Sequence, residues 1–119
     1  MDRAQALKLV EESFARGSHT PCSWAPDPDA YIAEEQSKLL SRLIAPFPVL
    51  VRADEWAQKH CRRTPGPHAM YAIAHLDGQW LFYSTSLAEF FLGYGKLGDT
   101  EGFSMLGHSS GDALAEWLG

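Results

Sequence analysis

The chain has 119 residues, 45 % of them apolar, with fifteen Asp/Glu against ten Lys/Arg and a formal charge of −5. A chain of this length makes one domain (1–119) and buries a core without a staple, and two cysteines, Cys22 and Cys61, make no disulfide framework. No run of about 18 apolar residues and no basic segment leading into an apolar one is present, so neither a membrane span nor a signal peptide is expected.

Asp2-Arg-Ala-Gln5 has the spacing of a capping box, and Leu7, Val10 and Phe14 share a helical face, which predicts a helix over 3–16 stopped at Gly17. Residues 17–28 hold three prolines and read as a loop. Asp27 with Pro28 opens a second helix, and the stripe Ile32, Leu39, Leu40, Leu43 and Ile44 carries it to residue 45. FPVLVR (47–52) predicts a strand, weakened at its start by prolines. Asp54 then opens one or two helical turns that turn Trp56 inward, and 61–68 is a loop.

The strongest local signal follows. AMYAIAHL, Asp77-Gly78 and QWLFYST form a hairpin, because a type I′ turn needs positive φ at both central residues. A two-residue turn pairs His75 with Trp80, Ile73 with Phe82 and Tyr71 with Ser84. One face then carries Tyr71, Ile73, His75, Trp80 and Phe82, and the other Met70, Ala72, Ala74, Leu76, Leu81 and Tyr83. The small Ala72/Ala74 row is expected under helices. The aromatic face is left to a covering terminal segment or to a partner. Ser86-x-x-Glu89 reads as a second capping box, predicting a short helix that stops at Gly93. A glycine-rich loop (93–102), a short strand (102–106) and a helix over 113–118 capped by Ser110 or Asp112 complete the chain. LFYSTSLAEFFLG (81–93) and SMLGHSSGDALAEWLG (104–119) look like one solution, strand into capped helix, used twice. The expected fold is α+β, ordered ααβ(α)ββαβα. A small, mainly antiparallel sheet of three to four strands would carry the two N-terminal helices on one face, with a C-terminal helix.

Several motifs resemble catalytic ones. Gly107-His-Ser109-Ser-Gly111 matches G-x-S-x-G, but only eight residues follow it and none is a histidine, so the hydrolase order Ser–acid–His is impossible. A small serine hydrolase using Ser109 would need His68 or His75 brought to it by the fold. Gly93-Tyr-Gly-Lys-Leu-Gly98 matches G-x-G-x-x-G, yet it follows a predicted helix and is followed by Asp99 and Glu101, which would repel a phosphate. His19-x-x-Cys22 and His60-Cys61 lack zinc-site spacing. Glu11-Glu12, Glu34-Glu35 and Asp54-Glu55 are adjacent, and neighbours on a helix do not converge as acid/base pairs. The residues therefore point to no cofactor, no metal and no catalytic centre.

Charge is unevenly spread. Residues 1–63 balance nine acids with nine Lys/Arg, whereas 64–119 hold six acids against one base, Lys96. Nucleic acid is a poor partner for such a half, and a basic protein a good one. The stretch HLDGQWLFYSTSLAEFF (75–91), together with the amphipathic opening AQALKLVEESF (4–14), resembles SUKH-type bacterial toxin-immunity proteins and related small immunity families. That resemblance implies a non-enzymatic cytoplasmic protein that blocks a toxin by binding it, and it transfers no particular binding residue. The expected contact surface is acidic and C-terminal: Asp99 and Glu101 with Tyr94 as aromatic anchor, then Asp77 and Glu116. The partner would be a basic toxin domain, and the chain itself a monomer or weak homodimer. A structural subunit of a larger assembly is the other non-enzymatic alternative.

Overall fold

The structure, a computed structural model, describes residues 1–98 and 102–119; Asp99, Thr100 and Glu101 lie outside the described residues. The element order is α1 (Arg3–Ala15), α2 (Pro28–Leu40), β1 (Leu43–Ala53), α3 (Glu55–His60), β2 (His68–Leu76), β3 (Gln79–Ser84), β4 (Glu89–Gly95), β5 (Phe103–Ser110) and α4 (Ala113–Leu118). The α+β class stands, but there are five strands, not three or four, and they close into a barrel in the order β1-β2-β3-β4-β5. Consecutive strands pair antiparallel, and β5 meets β1 parallel through Val51–Ala53 and Phe103–Met105. An odd number of strands running alternately up and down a ring must contain one parallel pair.

The capping predictions hold for α1, α2 and α4. Asp2 and Gln5 form a reciprocal capping box on α1, Asp27 caps α2 with Pro28 in its first turn, and Asp112 rather than Ser110 caps α4. The Asp77-Gly78 turn has φ of 48° and 85°. His75 pairs with Trp80, the two rings stack at 4.1 Å, and His75 Nε2 accepts the Gly78 N–H.

Four expectations are corrected. The Ser86–Gly93 helix is instead a tight turn followed by β4. Ser84 Oγ accepts the Leu87 N–H, Ala88 takes φ 54°, and Glu89 to Tyr94 pair along β3. A run such as LAEFFLG satisfies helical and strand periods alike, and the barrel supplies an apolar environment on both faces. Gly93 is then no helix stop. A Cβ there would strike the Ser104 carbonyl and the Phe82 ring, so it marks where β4 closes tightly on β5. Second, α2 ends at Leu40, and Leu43 and Ile44 belong to β1, because Ala45 and Phe47 each precede a proline and are driven extended. Third, a bulge at Ile73 breaks the expected register: Ala72 faces Phe82 and Tyr71 faces Tyr83. Fourth, Trp56 is 49 % exposed rather than inward.

The bulge sorts the hairpin into two cores. Met70, Ala72, Trp80 and Phe82 point into the barrel with Val49, Val51, Phe91, Phe103 and Met105. Trp80 and Phe82 of the expected aromatic face are thus covered by barrel closure, whereas Ile73 and Tyr71 join the outer cluster under the helices. Ala74, Leu81, Tyr83 and Phe90 point outward beneath Ala6 and Val10 of α1, Leu39 of α2 and Leu114 and Trp117 of α4. Helices do cover the Ala74 row, as expected; Ala72 lies inside the barrel instead.

Candidate functional site

The helices α1, α2 and α4 cover one outer side of the barrel. The outward residues of β4 and β5 lie beyond them. Tyr94 and Leu106 are 45 % and 38 % exposed, and Trp56 of α3 stands beside them. Gly107 makes this arrangement possible. A Cβ there would come within 2.8 Å of Ala57 Cβ and 2.9 Å of Cys61 Sγ, so its absence lets α3 lie directly on β5. The Trp56 indole then meets His108 at 5.5 Å and His60 at 4.9 Å between ring centres, and Cys61 Sγ touches His108 Nδ1 at 4.0 Å.

Between α3, β5 and the end of α4 lies a cavity of about 550 Å³ walled by Trp56, Leu92, Leu106, His108, Ser109 and Glu116. Its Ser109 belongs to a short relay. Arg63 donates through Nε to the Gly107 carbonyl at 2.8 Å and through Nη2 to Ser109 Oγ at 2.7 Å, and Ser109 donates to Glu89 Oε2 at 3.3 Å. Glu116 Oε2 is buried with no described hydrogen-bond partner. Burial pushes the Glu116 carboxyl above its usual range, the charges of Asp112 and Glu89 push it further, and Arg63 acts in the opposite direction. No family model, curated protein or solved structure matches the chain.

The predicted contact residues fare unequally. Asp99 and Glu101 lie outside the described residues. Tyr94 is on the open β4–β5 face, its hydroxyl donating to Asp54 Oδ2 at 3.0 Å. Asp77 is exposed at the β2–β3 tip, which the Gly95 N–H to Gly78 carbonyl bond holds beside the end of β4. Glu116 enters the cavity from α4. Asp112 is consumed structurally: its carboxylate accepts from Ala115 N–H, Ser18 Oγ and His19 N–H. Ser109 sits within β5, hydrogen-bonded to Arg63 and Glu89 rather than to His68 or His75. Trp56, Leu106 and His108 were missed. Trp56 did carry a signal: Lys59 and His60, its neighbours three and four residues on along α3, offer it no large apolar partner.

No described helix is long and apolar enough to cross a membrane.

Proposed function

We propose that the protein is a non-enzymatic binding protein, an immunity- or antitoxin-like inhibitor that neutralises a basic bacterial toxin domain in the cytoplasm, acting as a monomer or weak homodimer. The observation that carries this reading is the open β4–β5 face, where Trp56, Tyr94 and Leu106 stand exposed: Trp56 and Leu106 wall a cavity that Glu116 also lines, and Asp54 accepts the Tyr94 hydroxyl. Large aromatic side chains supply most of the energy of protein interfaces, and carboxylates at their edge select cationic partners and speed encounter. Asp77 lies at one end of this face, and Asp99 and Glu101 follow β4 in sequence.

Affinity capture of the partner from the native host, followed by calorimetric titration with the purified protein, tests the assignment. Trp56→Ala and Tyr94→Ala each weaken binding about tenfold to a hundredfold. Paired charge reversal at Asp99 and Glu101 lowers both affinity and its salt dependence. A partner whose binding ignores all four residues, or one with an acidic surface, would refute the assignment.

A further inference from the structure

A second cavity, of about 480 Å³, opens at the other side of Arg63, at the mouth of the barrel. Its origin is topological. β1 ends at Ala53 and pairs only with the first residues of β5, so no strand runs between the C-terminal half of β5 and β2. The loop after α3 spans that gap and brings Arg62 and Arg63 with it. Consecutive side chains of an extended segment diverge; here the left-handed backbone of Arg62 (φ 54°) turns the chain so that both arginines line one cavity. Met70, Phe91 and Met105 of the barrel core form its floor.

The polar groups around this floor are donors with capacity to spare. Arg63 lies over the Phe91 ring at 5.1 Å and uses one Nε–H and one Nη2–H on Gly107 and Ser109. Its other three N–H groups have no described protein acceptor. Arg62 pairs with no described carboxylate. Ser84 Oγ is buried, accepts the Leu87 N–H and lies 3.2 Å from Ser86 Oγ. That mutual bond uses one hydroxyl proton of the two and leaves the other free. No acidic residue lines the cavity among the described residues; Glu89 joins the set only through Ser109.

We infer that the barrel mouth is a binding site for a small phosphate monoester with an apolar or aromatic body. Two guanidiniums match a dianion, one of them already fixed by its protein contacts, so little ordering is needed on binding. The serine hydroxyls supply a further donor. The Met70–Phe91–Met105 floor is too apolar and the cavity too large for inorganic phosphate alone. Mouths of small barrels are common ligand sites for this reason: the strands end, and the core is reachable from one end. This reading does not rest on the β4–β5 face, although the Arg63–Ser109 hydrogen bond lies between the two cavities.

Calorimetric titration of the intact protein with phenyl phosphate, inorganic phosphate and benzoate separates the contributions. Phenyl phosphate binds saturably and more tightly than inorganic phosphate, and benzoate binds at least about tenfold more weakly than phenyl phosphate. Arg62→Gln weakens phenyl phosphate about tenfold and Ser86→Ala several-fold, while Trp56→Ala has no effect. Arg62 and Ser86 are exposed, so neither variant threatens the fold. The assignment is overturned by absence of saturable binding, by benzoate binding as well as phenyl phosphate, or by an Arg62→Gln protein that binds like the parent.

Discussion

Ser13 and Ala113, one hundred residues apart in sequence, share a buried hydrogen bond: the Ala113 N–H donates to Ser13 Oγ at 2.9 Å. The same hydroxyl donates to the Gly111 carbonyl at 2.8 Å. One side chain of α1 thus satisfies a donor at the start of α4 and an acceptor just before it. The last helix is anchored to the first by polar as well as apolar contact.

Replacing Ser13 by alanine strands the Ala113 N–H in the core, while the Gly111 carbonyl keeps Arg16 Nη2 at 3.0 Å. An unmet buried donor costs about 1–3 kcal/mol. Ser13→Ala is therefore expected to lower the unfolding free energy by that amount, read as a lower urea midpoint with the slope of the transition unaltered.

Gly93 is the tightest point of the barrel. Its missing Cβ would collide with a backbone carbonyl of β5 and the ring of Phe82, neither of which is free to withdraw. Gly93→Ala should cost about 3 kcal/mol or more and yield a protein that is largely insoluble or lacks near-ultraviolet dichroism. Gly98→Ala is the comparison: there a Cβ meets open space, although φ is 82°. It should cost only about 1 kcal/mol of backbone strain.

Glu116 sets a pH dependence whose sign is fixed by its surroundings. Burial first, then Asp112 and Glu89, raise its folded-state protonation range, against the pull of Arg63. As pH rises above its unfolded value of about 4.5, the unfolded chain loses this proton first and the native state retains it. The native state then holds more protons, so this group's contribution to stability falls with rising pH until Glu116 ionises in the fold as well. Glu116→Gln should flatten the decline in stability, measured by denaturant titration, that sets in as pH rises above about 4.5. A variant with the same decline would place its origin elsewhere.

Ser109 gives a chemical prediction. Its oxygen accepts from the Arg63 guanidinium and donates to a carboxylate, which is not the imidazole partnership that activates a serine. A fluorophosphonate probe should leave the protein unlabelled, read by intact-mass spectrometry. A single adduct at Ser109 would establish a nucleophile and contradict the binding assignment.

Helix starts were legible because they are local. Asp2, Asp27, Asp54 and Asp112 each accept an N–H three residues on, and that geometry depends on nothing distant. The Asp77-Gly78 turn was legible for the same reason: the residue types that tolerate positive φ occupy both central positions. The segment 86–93 was not. Its residues suit a helix and a doubly buried strand equally, and only the Phe82–Phe91 and Tyr83–Phe90 pairings across the barrel decide between them.

The candidate sites divide in the same way. Tyr94 and Glu116 were picked out by residue type and by the acidity of the C-terminal half, which are properties of the chain alone. That Trp56 joins them, that Ser109 is held by Arg63, and that Arg62 and Arg63 share a cavity with the barrel core all depend on residues far apart in sequence. Composition, caps and turn chemistry established an acidic α+β domain and where its helices begin. Closure of β1 on β5, which buried Trp80 and Phe82 of the hairpin and opened the barrel mouth, was decided only by the tertiary structure. The reason is that strand pairing is a contest among apolar surfaces brought together by the fold, and no window of sequence contains all of the competitors.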